Sequence, residues 1–521
     1  MRPRTCSSQR PRRLRHTALP VVLVAALSTA ACTSSPEQRT GASSGVPQVG
    51  GVLRNSIIDP GGQIDPVIVS SPGGSAIVDA VTEKLVRISP TFEATPALAT
   101  HWAPAPDNLH WTFEIRRGVQ FNNGSALTPT DVVATYERIL APTSTSPAKG
   151  TLSGVLRSVA AEANTVVFTL IKPVADFPFL LAGNNTQILP ATYKPGSWQR
   201  NYIGTGPFTV SSFKQGQSAT LTRNPTYWNA DQIYLDTVEF KFFKDQQSRV
   251  LALQSGEIDG LYGEPVAANL TLALDKSRYT VTSDPNPGFS AVAFRVDIAP
   301  FDDVKVRQAI AWALDRNAIR ENLYQDQAVL GNDTVYGPTY PIAPTGLTQR
   351  NADKSKVKEL LGDRKVKFTL TTSSTEEAHA LMIQQQLRTY DNFDVDVRIL
   401  SAGEYYANGD SAPWLSAAAT ITYWSERPIP SPYNEYLYRS GAAWNASHYS
   451  NPALDSLFER YDASSDKAER AALVNQIAAI EWTDVPVVIS AHPKSRSYLD
   501  PKVHLTHWPS VVNYAGAWIE H

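Results

Sequence analysis

The stretch from Leu98 to Leu140 constrains this chain most, because it spells a strand, a turn and a capped helix in succession. Leu109, Trp111, Phe113 and Ile115 alternate with His110, Thr112 and Glu114, the period of two that gives a strand one buried face. Arg116 to Phe121 is expected to supply a short turn and a second strand. Asn122-Asn123-Gly124-Ser125 is then a turn whose Asn-Gly pair tolerates positive φ. Thr128 suits an N-cap, Pro129 the first helical position, and Asp131 sets a negative charge beside the first-turn amides. Val132, Val133, Tyr136, Ile139 and Leu140 follow on one helical face.

Taken as a series, Leu98-Ala99, Trp102, Asp107, Phe113, Arg116 or Arg117, Gly118-Val119, Phe121, Gly124, Leu127-Thr128 and Asp131-Val132 closely resemble a known signature. It is that of the bacterial extracellular solute-binding proteins of family 5, which serve peptide, nickel and opine ABC importers. Further segments resemble the family in the same order: Gly204-Thr205-Gly206-Pro207-Phe208, Leu235 to Phe240, Gly256-Glu257-Ile258-Asp259, Phe301-Asp302-Asp303 with Val306-Arg307 and Ala309, Ala313-Leu314-Asp315-Arg316, and Asp466 to Arg470. Most of these positions are core, turn or cap residues, which identify the family without touching a ligand.

The resemblance implies an α/β protein with the two-lobed periplasmic-binding-protein fold (type II, cluster C) and an extra subdomain in the first lobe. The expected organisation is a signal peptide at 1–31, a lipid-anchored tether at 32–48, first-lobe segments at 49–78, 204–287 and 490–521, the extra subdomain at 79–203, and a second lobe at 288–489. The lobes would be joined near Pro285-Asn286-Pro287-Gly288 and near Ile489. A chain of 521 residues exceeds what one core usually supports.

The N-terminus reads as a targeting segment. Arg2, Arg4, Arg10, Arg12, Arg13 and Arg15 precede an apolar run from Ala18 to Ala31, too short to span a bilayer comfortably, and Arg12-Arg13 leaves a twin-arginine route open beside the general one. Leu27-Ser28-Thr29-Ala30-Ala31-Cys32 resembles a lipobox, in which the cysteine becomes the lipidated N-terminus, with Thr29 where Leu is usual. The other cysteine, Cys6, lies in the removed segment, so Cys32 reads as a palmitate-bearing anchor and no disulfide is expected. Thr33 to Gln48 is rich in Ser, Thr, Gly and Pro, the composition of a flexible tether.

Helices are expected at Val78–Val86, along Val306, Ala309, Ile310, Ala313 and Leu314, at Glu376–Tyr390, and twice within Asn451–Ile480; strands are expected at Thr165–Ile171, Ala291–Phe294 and Pro486–Ile489. Arg307 and Asp315, eight residues apart, share a helical face and read as stabilisers of the lobe. Gly204-Thr205-Gly206 lacks the third glycine and the Lys-Ser/Thr pair of a phosphate loop, and Pro207 has no amide to donate.

Motifs for catalysis are absent: no Gly-x-Ser-x-Gly elbow, no His-Glu-x-x-His, and no cysteine metal ligand outside the leader. His504 and His507 are too weak a pair to define a metal site. A formal net charge of −2 gives no electrostatic basis for binding nucleic acid or an anionic membrane. The reading is therefore an exported, non-enzymatic, cofactor-free monomer. It would be lipid-anchored to the outer face of the cytoplasmic membrane and pass a solute to an ABC permease whose ATPase is a separate chain. An oligopeptide or peptide-like ligand is expected; an oligosaccharide, a siderophore or a small acid is the alternative within the family. A secreted glycoside hydrolase is the rival from another class, suggested by eleven tryptophans and twenty-one tyrosines.

The ligand-determining stretch is expected at Ile421 to Arg427. In peptide-binding relatives a Trp is followed three residues later by an Asp that pairs with the ligand's α-amine. Here Trp424 keeps the aromatic and Arg427 stands in the acid's place, so Glu426 is the candidate substitute for the amine anchor. Arg427 would instead face an anionic part of the solute, or else be a plain surface residue. Tyr423, Trp444, Asn445, Tyr405 and Tyr406 complete the candidates.

Overall fold

The computed structural model describes residues 45–61, 64–262, 274–284, 286–407, 411–505 and 514–521. Cys32, the leader, the tether before residue 45, Pro285 and His507 lie outside the described residues.

The organising strand forms at His110–Ile115, with Trp111, Phe113 and Ile115 buried and the residues between them exposed. It lies inside a four-stranded antiparallel sheet, between Ala99–Pro104 and Thr165–Leu170, with Leu156–Glu162 at the far edge. Helix Pro129–Leu140 covers this sheet. The Tyr136 ring meets Phe168 edge-on at 5.0 Å, and Phe168 meets Phe113 in the same manner at 5.3 Å. Asp131 closes the helix start by accepting from the Thr128 amide at 2.8 Å and its hydroxyl at 2.7 Å. The second strand expected at Arg116–Phe121 is reduced to one bridge, Gln120 to Ala126. The loop folds back at once, Phe121 N on Ser125 O and Leu127 N on Val119 O, and leaves no length to pair.

The first lobe is built on a seven-stranded sheet in the order Thr280–Asp284, Ser495–Leu499, Gly260–Leu261, Val52–Ile58, Thr237–Phe243, Ser218–Arg223, Phe208–Lys214. Val52–Ile58 and Thr237–Phe243 run parallel in full register. The helix expected at Val78–Val86 occupies Pro72–Val81 instead, with Val86–Ile88 paired as a strand to Ala94–Pro96. Ser71 caps it by accepting from Gly74 N, Pro72 takes the first turn, and burial of Gly73, Gly74, Ala76 and Ile77 outweighs the poor helix propensity of the two glycines. Gly204 and Gly206 press on the end of this helix. A Cβ on either would come within 2.1 Å or 2.7 Å of the Val81 carbonyl oxygen, so both serve close packing rather than a phosphate.

The second lobe has a five-stranded sheet in the order Phe393–Leu400, Val366–Ser373, Ala419–Trp424, Phe289–Phe294, Val487–Ile489. Only Phe289–Phe294 runs against the others. Helices Val304–Ala313, Glu377–Leu387 and Lys467–Asp484 form where the apolar spacing places them, with Asp303 and Asp466 as N-caps of the first and last. Arg307 and Asp315 do not pair. Arg307 donates to the carbonyls of Asp484 and Phe301, and Asp315 caps the turn that follows.

Two adjacent segments link the lobes. Asn286 in the first donates to Ser495 in the second at 2.8 Å. The strand Ala491–Pro493 still pairs with Ala328–Leu330, so the returning chain reaches the seven-stranded sheet only after Lys494.

One buried ionic group fastens this region. Asp333, fully buried, receives Arg316 Nη2 on both carboxyl oxygens at 2.8 Å and Arg350 Nη1 at 2.8 Å, and also accepts from Ile489 N at 3.1 Å. Arg316, the arginine of the Ala-x-Asp-Arg motif, further donates to the carbonyls of Gly331 and Ile489. Asp333→Ala would leave two buried guanidiniums without their counter-charge, which typically costs about 3–5 kcal/mol. Urea unfolding of the variant is expected to show a loss of that order.

Candidate ligand cleft

The second-lobe sheet ends its parallel strands on a single edge, at Ser373, Leu400, Trp424 and Ile489, with Phe289 opposite Trp424 in register. Loops beyond the carboxyl ends of parallel strands are where α/β sheets place ligands. Most of the sequence candidates collect on this edge.

Trp424 is itself largely buried and stacks with Tyr436 at 6.1 Å and 19°. Tyr436 touches Trp444 at 4.8 Å, Trp444 meets Trp414 at 6.0 Å, and Trp414 meets Tyr406 at 6.1 Å, forming a continuous aromatic band. Trp444 is 45% exposed, and Tyr406 and Tyr423 are 41% exposed. The Tyr423 hydroxyl lies against Gly288, where a Cβ would fall 3.0 Å from it and 2.9 Å from the Trp424 carbonyl oxygen. This crossing therefore needs glycine. Enclosure of that end pushes the Tyr423 phenol up to about 12, helped by the charges of Glu426 and Glu376.

Arg427 is half-buried at the tip of the loop after Trp424. Its Nη1 donates to Ser425 Oγ at 2.9 Å and Glu426 O at 3.0 Å; no other hydrogen bond from its guanidinium to a described residue is present. Two tyrosines fix the loop from beneath, Tyr340 OH on Arg427 O at 2.9 Å and Tyr433 OH on Ser425 O at 2.8 Å. Glu426 and Arg427 border a cavity of about 350 Å³ whose opposite wall comes from the first lobe, through Leu152, Phe179 and Asn184–Thr186.

Two candidates are placed away from this surface. Tyr405 is fully buried and gives its hydroxyl to Ile421 O. Asn445 is buried and spends its amide on Arg439 O and Tyr449 O, closing its own loop. His504 stacks on Trp518 and pairs with Glu520. The structure adds residues that sequence reasoning did not single out: Tyr436, Trp414, Glu376 and the 184–186 loop. A search of the loops after each parallel strand would have reached Glu376; nothing local marks the others.

The lobes also meet away from the cavity. Arg470 Nη2 lies 2.6 Å from Asp176 Oδ2, Ala175 N donates to Asp462 O at 2.7 Å, and Asn108 Nδ2 to Ala463 O at 2.9 Å.

Two α/β lobes joined by a pair of crossings, with aromatic faces and a few charged groups converging between them, define a protein that binds a solute in a cleft. Residues 93–446 match the model of the middle region of the bacterial extracellular solute-binding proteins, family 5, and the chain belongs to that family. It is 24% identical over 459 residues to the dipeptide-binding protein DppE of Bacillus subtilis, covering 78% of this chain and 80% of the relative. It is 26% identical over 486 residues to heme-binding protein A of Haemophilus influenzae, covering 84% and 86%. The structure of the ABC transporter-associated periplasmic binding protein DppA from Helicobacter pylori in complex with the peptide STSA matches with a TM-score of 0.71 at 25% identity, over 91% of this chain and 99% of that one. The family is one of extracytoplasmic binding proteins of ABC importers, not of enzymes, and the hydrolase reading falls away. No helix among the described residues is long and apolar enough to cross a membrane.

If the contact at Asp176 helps hold the lobes together, Asp176→Ala shifts the ligand-free protein toward an open form. Small-angle scattering is expected to show a larger radius of gyration than wild type, with ligand affinity lowered about tenfold, or ~1.4 kcal/mol.

Proposed function

We propose that this protein captures a peptide between its lobes and hands it to the permease of an ABC importer, whose ATPase subunits are separate chains. The observation that carries the reading is Arg427, held at the end of Ala419–Trp424 with donors to spare, beside a row of aromatic faces and opposite the first-lobe wall of the 350 Å³ cavity. A guanidinium presents a fork of donors suited to a carboxylate, and aromatic faces accept apolar side chains of many shapes. The peptide named in the complex of the Helicobacter relative, and the dipeptide in the name of the Bacillus one, support this class of ligand. Binding favours the closed arrangement because only there do both walls touch the ligand.

Native mass spectrometry of the purified mature protein, followed by calorimetry with the co-purified ligand, tests the reading. A bound peptide supports it; a bound porphyrin or saccharide replaces it. Arg427→Ala is expected to weaken peptide affinity about tenfold, ~1.4 kcal/mol, less than the ~2–5 kcal/mol typical of a fully buried charged partner because Arg427 is only half-buried. Affinity within about threefold of wild type would relegate Arg427 to the surface and leave the aromatic band as the determinant.

We further propose that Cys32 carries the lipid that holds the receptor at the outer face of the cytoplasmic membrane. Its place after Ala30-Ala31 at the end of the apolar run is the support. Labelled palmitate is expected to enter the wild-type protein and not Cys32→Ala; label in the variant would end this assignment.

A further inference from the structure

The strand Val366–Ser373 runs parallel to Ala419–Trp424, with Thr372 opposite Ile421, so their carboxyl ends open side by side onto the cleft edge. Glu376 follows immediately after the first of these ends and leads into helix Glu377–Leu387. Its side chain is 13% exposed, and its one ion-pair neighbour among the described residues is His379 Nδ1 at 3.5 Å. That imidazole is buried, and its Nδ1 has no hydrogen-bond partner among the described residues. No lysine or arginine among the described residues pairs with Glu376, whereas the buried Asp333 of this lobe holds two arginines and Asp462 accepts from Ser431.

The turn Ser374–Glu376 packs against strand Ala419–Trp424, which carries Tyr423, while Tyr405 reaches that strand through its hydroxyl on Ile421 O and Tyr324 meets the His379 ring. Burial raises the phenols of Tyr324, Tyr405, Tyr406 and Tyr423, and the charge of Glu376 pushes all four further in the same direction. Tyr406 and Tyr423, together with Trp444, are the large aromatic side chains left exposed among the described residues, and all three stand on this edge. A cation placed against tyrosine faces and beside a carboxylate gains from the ring quadrupoles and from a charge-assisted hydrogen bond together.

We propose that Glu376 reads the positive charge of the ligand, taking an ammonium or guanidinium group seated between Tyr406 and Tyr423. This inference rests on the peptide reading above and deepens it. Arg427 lies in the loop after one strand and Glu376 follows its neighbour, so the cleft edge meets a ligand of two charges at two fixed points. The charge comes either from the terminal amine or from a basic side chain.

Thermal-shift titrations of wild type and Glu376→Gln with three tetrapeptide pools, randomised over Ala, Leu, Phe and Ser, separate these sources: free-amine peptides, N-acetylated peptides, and N-acetylated peptides carrying one lysine. Glu376→Gln is expected to lose tenfold or more in affinity for a cationic pool while its affinity for the neutral acetylated pool stays within twofold. Loss on the free-amine pool assigns the terminal amine; loss on the lysine pool assigns the side chain. Glu376→Asp, which keeps the charge on a shorter arm, is expected to bind the affected pool better than Glu376→Gln. Wild type that binds a cationic pool, with Glu376→Gln within twofold of it, overturns the inference and leaves the peptide reading standing. Equal loss on the neutral pool makes Glu376 structural and overturns it too. Wild type that binds none of the three pools overturns the peptide reading and this inference with it.

Discussion

The carboxylate of Asp333 is the interaction on which the geometry of the second lobe depends. It is fully buried, and two arginines distant in sequence converge on it. Arg316 brings the turn after helix Val304–Ala313, Arg350 brings the long loop before the next helix, and the Ile489 amide brings the last strand of the sheet. Arg350 also lies over the Trp482 ring, 3.8 Å from its centre, and donates to the Trp482 carbonyl, which ties in helix Lys467–Asp484. Such a group need not add net stability compared with a well-packed apolar one. Its effect is on position, because hydrogen bonds of fixed direction allow one arrangement of the four segments where hydrophobic contacts would allow several.

That arrangement sets where the chain leaves the lobe. Ile489 is both a partner of Asp333 and the end of the strand that precedes the return, while Asn286 and Ser495 hold the two crossings side by side. Phe289 pairs in register with Trp424, so the outgoing crossing and strand Ala419–Trp424 have little freedom to move apart. Rotation at the crossings would therefore carry the aromatic band and Arg427 as a rigid wall. Rigid walls moving about a narrow hinge are how lobes close on a ligand without losing the alignment of the groups that bind it.

Elements with one buried face were legible in the sequence because burial imposes a period on neighbouring residues. His110–Ile115, Thr165–Leu170 and Val304–Ala313 follow that rule, and the cap of the helix, Asp303, announces itself by residue type. Helix Pro72–Val81 escaped because its first turn contains Gly73-Gly74, a local breaker that packing against the sheet overrides. At the cleft, Trp424 and Arg427 were legible through their spacing in the family pattern. Tyr405 and Asn445 carry residue types suited to a ligand, but their polar atoms are taken by nearby carbonyls, a demand that sequence does not display. Glu376, Trp414 and Tyr436 come to the same edge from three different loops, and only the register of the parallel strands brings them together.

The division of labour across the cleft follows from how the forces vary with distance and shape. Aromatic faces gain roughly in proportion to the apolar area they cover, about 25 cal/mol per Å², and tolerate many outlines. In the peptide reading proposed above they would therefore supply affinity without selecting one side chain. Point charges at strand ends act the other way: each rewards one sign of charge at one place and penalises its absence. The contact between Asp176 and Arg470 lies apart from both, so in the closing motion proposed above it would favour closure without the ligand. A ligand then has to supply only the remaining difference between open and closed states. Were the protein's own share much larger, the empty receptor would close and shut solute out; were it absent, closure would rest on the ligand alone, and weakly held solutes would fail to complete it.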